Sequence, residues 1–249
     1  MDGDVATLER ELRALKRSGA NVLLLASSPD RAACDRLLGD DSKTRRRLVV
    51  ATGGSGHGGH DERDDHRATP VLDPRRIGFV DVVGDETRSA LSEPCLDRAG
   101  VPHPPAAVEP IGPAAASDRD RSTVEWYSRT APDDGLWAIA HHVRVHLSRF
   151  DAEDPRPSEV RVCFDTLDAL VERAEPLELL RFARVVAARV RASRAMGHFH
   201  LSSSVDDRLL TRLEPLFDAT VETRVSDGRR LQRWTLHEAD VRTNWLLLE

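Results

Sequence analysis

The chain reads as an α/β protein, with a mostly parallel sheet, helices on both faces and an antiparallel edge at the C-terminal end. Three observations carry that reading. Short, dominantly apolar runs such as Val22-Leu23-Leu24-Leu25-Ala26 and Val160-Arg161-Val162-Cys163-Phe164 suit strands covered on both faces. Helical periodicities stand between such runs, which is the alternation that builds parallel sheets. Near the end, two strand-like segments flank Ser226-Asp227-Gly228, where Asp-Gly marks a hairpin turn.

Along the chain, Val5, Leu8, Leu12 and Leu15 share one helical face over residues 4–18, and Gly19 and Asn21 stop that helix. The run 22–26 is the first strand. Ser27-Ser28-Pro29-Asp30 is a turn and helix cap leading into a short helix over 30–38. Leu48-Val49-Val50-Ala51 and Ile77-Gly78-Phe79-Val80-Asp81-Val82-Val83 are further strands. Between them, residues 53–69 (GGSGHGGHDERDDHRAT) lack apolar content and read as a disordered insertion. Residues 84–122 are rich in Pro and Ala and read as a long loop within the same domain.

The second half patterns more clearly. Asp133-Asp134 is placed to cap a helix over 134–149 whose inner face carries Leu136, Ile139, Val143 and Leu147. The strand closing at Asp165 follows, then a helix over 177–192, a strand at Gly197-His198-Phe199-His200-Leu201 and a helix from Asp206 to Leu216. Thr220–Val225 and Leu231–His237 form the hairpin, and Asn244–Leu248 adds a last strand. The whole, residues 1–249, reads as a single domain.

Composition bounds the function. A formal net charge of −6 argues against a general nucleic-acid binder, which is usually basic. Of 36 basic residues only Lys16 and Lys43 are lysine, a bias that fits a GC-rich genome, a salt-adapted organism, or both. The acidic start Met1-Asp2-Gly3-Asp4 has no apolar signal core, and no apolar run approaches the ~20 residues that span a bilayer. Cys34, Cys95 and Cys163 are far apart with no Cys-x-x-Cys, so they read as free thiols in a reducing cytoplasm, forming neither a disulfide frame nor a zinc site.

The segments VRVCFDTLDALV (160–171), LLRFARVVAARVRA (179–192), GHFHL (197–201) and LFDATVETRVSDGRRLQRWTL (216–236) resemble the back half of a RecA-superfamily domain of the KaiC/GvpD type. The whole Arg-rich, Lys-poor chain is similar to an uncharacterised haloarchaeal group of such domains. The resemblance implies a RecA-like sheet, with Asp165 and Thr166 as the residual end of a magnesium-binding strand. It also implies a phosphate loop after 22–26, whose glycines wrap phosphates, whose Lys reaches the terminal phosphates and whose Ser/Thr holds Mg2+.

The chain departs from that pattern. No Gly-x-x-x-x-Gly-Lys-Ser/Thr occurs, and Ala26-Ser27-Ser28-Pro29-Asp30-Arg31 stands in its place. The family's catalytic carboxylate follows the second strand, where Ala51-Thr52-Gly53 supplies none. The expectation is a non-catalytic RecA/KaiC-like domain with no cofactor, acting in regulation or signalling through a protein partner. The alternative is a divergent ATPase using Asp165 for Mg2+, with ATP and Mg2+ bound. In hexameric relatives, basic residues around the closing hairpin reach a neighbouring subunit's nucleotide. Arg224, Arg229, Arg230 and Arg233 occupy that region here, and a homo-oligomer is one option.

Other candidates read more plainly. His198 and His200 lie two apart on a strand and share a face. Zinc needs three or four ligands, and no third is near in sequence, so packed or hydrogen-bonded histidines are expected and no metal site is assigned. His141, His142 and His146 fall on one expected helix, where His142 and His146 share a face without a His-Glu-x-x-His pattern, and surface or half-buried histidines are expected. His57, His60 and His66 belong to the glycine-rich segment. Arg45-Arg46-Arg47 is expected to be neutralised at the surface by Asp40 and Asp41.

Overall fold

The computed structural model describes residues 2–27, 31–39, 45–52, 73–82, 126–130 and 134–248, with side chains described for all of these except 2–6 and 31. The segments 53–69 and 84–122, the Ser28-Pro29-Asp30 turn, Asp40, Asp41, Cys95, His57, His60 and His66 lie outside the described residues.

The sheet is mostly parallel, as the alternation predicts. Its strands are β1 (Ala20–Ala26), β2 (Arg46–Ala51), β3 (Ile77–Val82), β4 (Tyr127–Thr130), β5 (Val160–Phe164), β6 (Met196–Ser202), β7 (Ala219–Ser226), β8 (Arg229–Leu236), β9 (Val241–Arg242) and β10 (Leu246–Leu247). They lie in the order β10-β8-β7-β1-β6-β5-β2-β3-β4, with β9 also on β8. Pairs from β7 to β4 are parallel, and β8 with its neighbours makes the antiparallel C-terminal edge. β1 occupies the middle, between β6 and β7, which is why it is apolar on both faces.

Alternation along each strand sorts the core. Leu23, Leu25, Leu48, Val50, Val162, Phe164 and Phe199 point to one face and pack on α3 (Leu136–Asp151) and α5 (Pro176–Ala192). Short helices α4 (Asp168–Arg173) and α6 (Asp207–Leu213) join that layer. Val22 and Leu24 point to the other face, against Leu8, Leu12 and Leu15 of α1 (Asp2–Ser18) and Ala33 of α2 (Arg31–Leu38). Cys34 and Leu38 continue α2 over Val49, Phe79, Tyr127 and Cys163.

Local chemistry sets the ends. α1 stops at Gly19, whose φ of +83° a side chain would resist, and a Cβ there would stand 2.8 Å from the Arg194 Cα. Pro176 opens α5, where a missing N–H is harmless. Asp206 caps α6 by accepting from the Arg208 and Leu209 N–H groups. The β7–β8 turn places Asp227 and Gly228 at φ of +51° and +72°, the double positive φ of a tight hairpin.

Several boundaries differ from the sequence reading. α3 begins at Leu136 with Gly135 at its cap and no side-chain cap, so Asp134 does not play the expected role. The last helix stops at Leu213, and Glu214–Leu216 tighten into a 3-10 turn around Pro215. Of the 244–248 segment, Leu246 and Leu247 pair with β8, and the Leu248 N–H donates to the Arg230 carbonyl. β4, α4 and β9 have no clear sequence signal. They are two to six residues long and rest on pairing and packing from distant segments.

Candidate functional site

Two polar groups stand toward the C-terminal ends of β5 and β6. The first surrounds Asp165, at the C-terminal end of β5. Its Oδ1 accepts from the Thr52 N–H at 2.9 Å, the Thr52 hydroxyl at 2.9 Å and the Thr166 N–H at 2.6 Å. The Thr52 hydroxyl also lies 2.5 Å from the Thr166 carbonyl, so one proton serves two acceptors. Burial pushes the Asp165 carboxyl up to about 6, against these hydrogen bonds and the nearby His200, which pull it down. Thr166 turns its hydroxyl to Asp168 at 2.7 Å, and Asp168 in turn accepts from the Ser202 N–H. Asp165 and Thr166 thus brace the ends of β2, β5 and β6 to one another.

The second group is one that sequence distance conceals. β5 and β6 run in a register that sets Cys163 opposite His198, and His200 follows on the same face of β6. α2 crosses above and brings down Cys34. Its Sγ lies 3.7 Å from the Cys163 Sγ and 3.3 Å from the His198 Nε2. One ligand atom from each of Cys34, Cys163, His198 and His200 falls within 4.8 Å of the others, and all four residues are buried. Cys34 and Cys163 are free thiols, as expected, but the fold brings these two together despite their distance in sequence. The further ligand types not found near His198 and His200 in sequence come from positions 34 and 163. A clue was available: His-x-His on one buried strand, and a cysteine within another.

Electrostatics suits soft-metal chemistry. The hydrogen bond with Cys163 holds the Cys34 thiol well below its ordinary range against the opposing effect of burial, with His198 and His200 adding to the lowering. Burial drives His198 toward neutral imidazole. Thiolate and neutral imidazole are the forms that bind a metal.

The remaining candidates scatter. His141 is exposed and His142 half-buried, as expected, but His146 is 1% exposed, with its Nε2 3.0 Å from the Ser128 hydroxyl. Helix α3 faces the sheet at His146, one turn beyond His142, so the shared stripe runs inward. Arg46 pairs with Glu153 at 2.7 Å and with Glu159, and Arg45 and Arg47 donate to the Ser158 and Gly39 carbonyls. The described partners of this cluster are thus distant glutamates and backbone. Arg224 and Arg233 lie over the Trp245 ring, at 4.0 and 4.5 Å, and Arg233 forks onto Glu222. Trp234 packs into the α1 side of the core.

A family model described as a family of unknown function (DUF7504) matches residues 19–223. The chain belongs to DUF7504. The match runs from the head of β1 into β7, so it spans Asp165 and all four Cys and His residues of the buried cluster. Among solved structures, this DUF7504 chain is similar to the uncharacterized protein PH0321 from Pyrococcus horikoshii, crystallised in complex with an unknown peptide. Identity is 12%, with 93% of this chain and 89% of that one covered and a TM-score of 0.51, a likeness of fold. In all, 269 solved chains match, so the fold is widely shared and does not select an activity. No curated protein matches it. Among the described residues no helix is long and apolar enough to cross a membrane.

Proposed function

We propose that this DUF7504 chain is a single, non-catalytic RecA/KaiC-like domain with a regulatory or signalling role exerted through protein contacts. The observation that carries the reading is the engagement of Asp165. In an ATPase of that type the strand-end carboxylate faces Mg2+ and a phosphate loop. Here Asp165 is bound to Thr52 and Thr166 and raised to about 6 by burial, a structural brace between strand ends. Thr52 itself stands just after β2, where the resemblance places a catalytic carboxylate. The sequence lacks the glycines and lysine of a phosphate loop. A role in protein contacts gains support from the neighbour of similar fold that holds a peptide.

Titration calorimetry with ATP and Mg2+ in high potassium chloride tests the reading, on the wild type and on Asp165→Ala. The expected result is no binding up to about 1 mM ATP, a free energy weaker than about −4 kcal/mol. Micromolar, Mg2+-dependent binding that disappears in Asp165→Ala would establish the alternative, a divergent ATPase using Asp165 for Mg2+.

A further inference from the structure

We infer that Cys34, Cys163, His198 and His200 form a closed, four-coordinate structural site for Zn2+, fastening α2 to the sheet. The inference stands apart from the protein-contact role, since it concerns different residues and a different ligand.

The distances carry it. Zinc binds thiolate sulfur at about 2.3 Å and imidazole nitrogen at about 2.0–2.1 Å in a tetrahedron. Such a tetrahedron separates two sulfurs by about 3.8 Å, and sulfur from nitrogen by about 3.5 Å. The structure has 3.7 Å between the sulfurs and 3.3 Å between the Cys34 Sγ and the His198 Nε2. A disulfide needs about 2.05 Å. The sulfurs are therefore spaced as two vertices around a common centre. His200, two residues beyond His198 on the same strand face, contributes the fourth ligand atom within the same 4.8 Å.

Ligand type and burial then choose the metal and its role. Two thiolates with two imidazoles suit Zn2+, whereas Mg2+ and Ca2+ take oxygen. Two thiolates neutralise a dication, so the filled site carries no net charge, which lowers the penalty of burying it. Four protein ligands, all buried, leave no position for water or substrate, so the ion is structural.

The fold supplies a reason for the fastening. α2 has eight residues, too few for a stable isolated helix. Three ligands sit on the rigid β5–β6 pair and the fourth on α2, so binding converts a marginal helix contact into a coordinate bond.

The test is metal analysis of the purified full chain, with a spectrum of the Co2+-exchanged protein. About one zinc per chain is expected. Co2+ should give strong tetrahedral d–d bands and thiolate-to-metal charge transfer, a signature that needs no variant. Cys163→Ser and, on the short helix, Cys34→Ser should each lower zinc affinity by well over about tenfold, the least that losing even an outer-shell partner costs. A variant with His57, His60 and His66 all changed to Ala should retain it. Three outcomes would overturn the inference: less than about 0.1 zinc per chain after refolding with zinc and no tetrahedral Co2+ spectrum; metal lost with the His57/His60/His66 variant but kept in both serine variants; or Cys34 and Cys163 recovered as a disulfide with no bound metal.

Discussion

Thr52 gives both its backbone N–H and its hydroxyl, each at 2.9 Å, to a single oxygen of Asp165. Two strand ends more than a hundred residues apart in sequence are thereby locked at one carboxylate. That carboxyl is raised from 3.8 to about 6, chiefly by burial. The folded state therefore binds more protons than the unfolded state between those values. Asp165 favours folding at low pH, and its contribution is lost as pH rises through about 6, by about 3 kcal/mol in all. Asp165→Asn keeps an acceptor oxygen but does not titrate. Urea midpoints at pH 4.5, 5.5 and 7 should show the variant gaining on the wild type as pH rises. A difference independent of pH would contradict the assignment.

His146 acts with the opposite sign. Burial, then the charges of Arg149 and His142, lower it from 6.5 to about 4. Between those values the unfolded chain takes up a proton that the folded chain refuses, so stability falls as pH drops through that window. The loss is of order 3 kcal/mol. His146→Leu should remove this acid sensitivity while losing about 1 kcal/mol at neutral pH for the Ser128 partner. Denaturation of both proteins at pH 4.5 and 7 checks it, and an NMR titration of the imidazole reads the shift directly.

Gly19 and Gly228 make a controlled pair. Both hold positive φ, but a Cβ at Gly19 meets the Arg194 backbone at 2.8 Å, whereas at Gly228 it meets nothing within 4 Å. Gly228→Ala should cost about 1 kcal/mol, from conformation alone. Gly19→Ala should cost at least ~2 kcal/mol, because the α1–β1 junction must also move off Arg194. Equal losses in urea denaturation would show that the close approach is unimportant.

Removing the inferred zinc should act locally first. With a strong chelator, amide hydrogen exchange should rise across α2 more than across β5 and β6, which their ladder still holds. Uniform acceleration over the sheet, with α2 no different, would show that the ion does not fasten the helix.

The sheet was largely legible because its strands carry the burial pattern in their own residues. Val22 to Leu25 and, Arg161 aside, the run at Val160 are apolar since neighbours cover both their faces, and Asp227-Gly228 announces the hairpin by conformation alone. Tyr127-Ser128-Arg129-Thr130 carries no such pattern, and only β3 beside it makes it a strand. The candidate site divides the same way. Asp165 showed itself as a polar end to an apolar run, but its engagement by Thr52 depended on how β2 and β5 lie side by side. The Cys34–Cys163 contact joins residues 129 apart in sequence, and it follows from strand order, which local spacing does not encode.

The position of β1 sets the timing of biogenesis. A ribosome delivers Ala20 long before its ladder partner Met196, and Ala219, the partner of Val22, emerges later still. At about 5–20 residues per second, the central strand waits roughly ten to forty seconds for a neighbour. During that interval an apolar strand with two open edges is exposed to whatever it meets. Nascent chains of this protein should accordingly lean on cellular holdases until β6 and β7 have emerged, whereas a circular permutant that begins at β5 would close its sheet sooner.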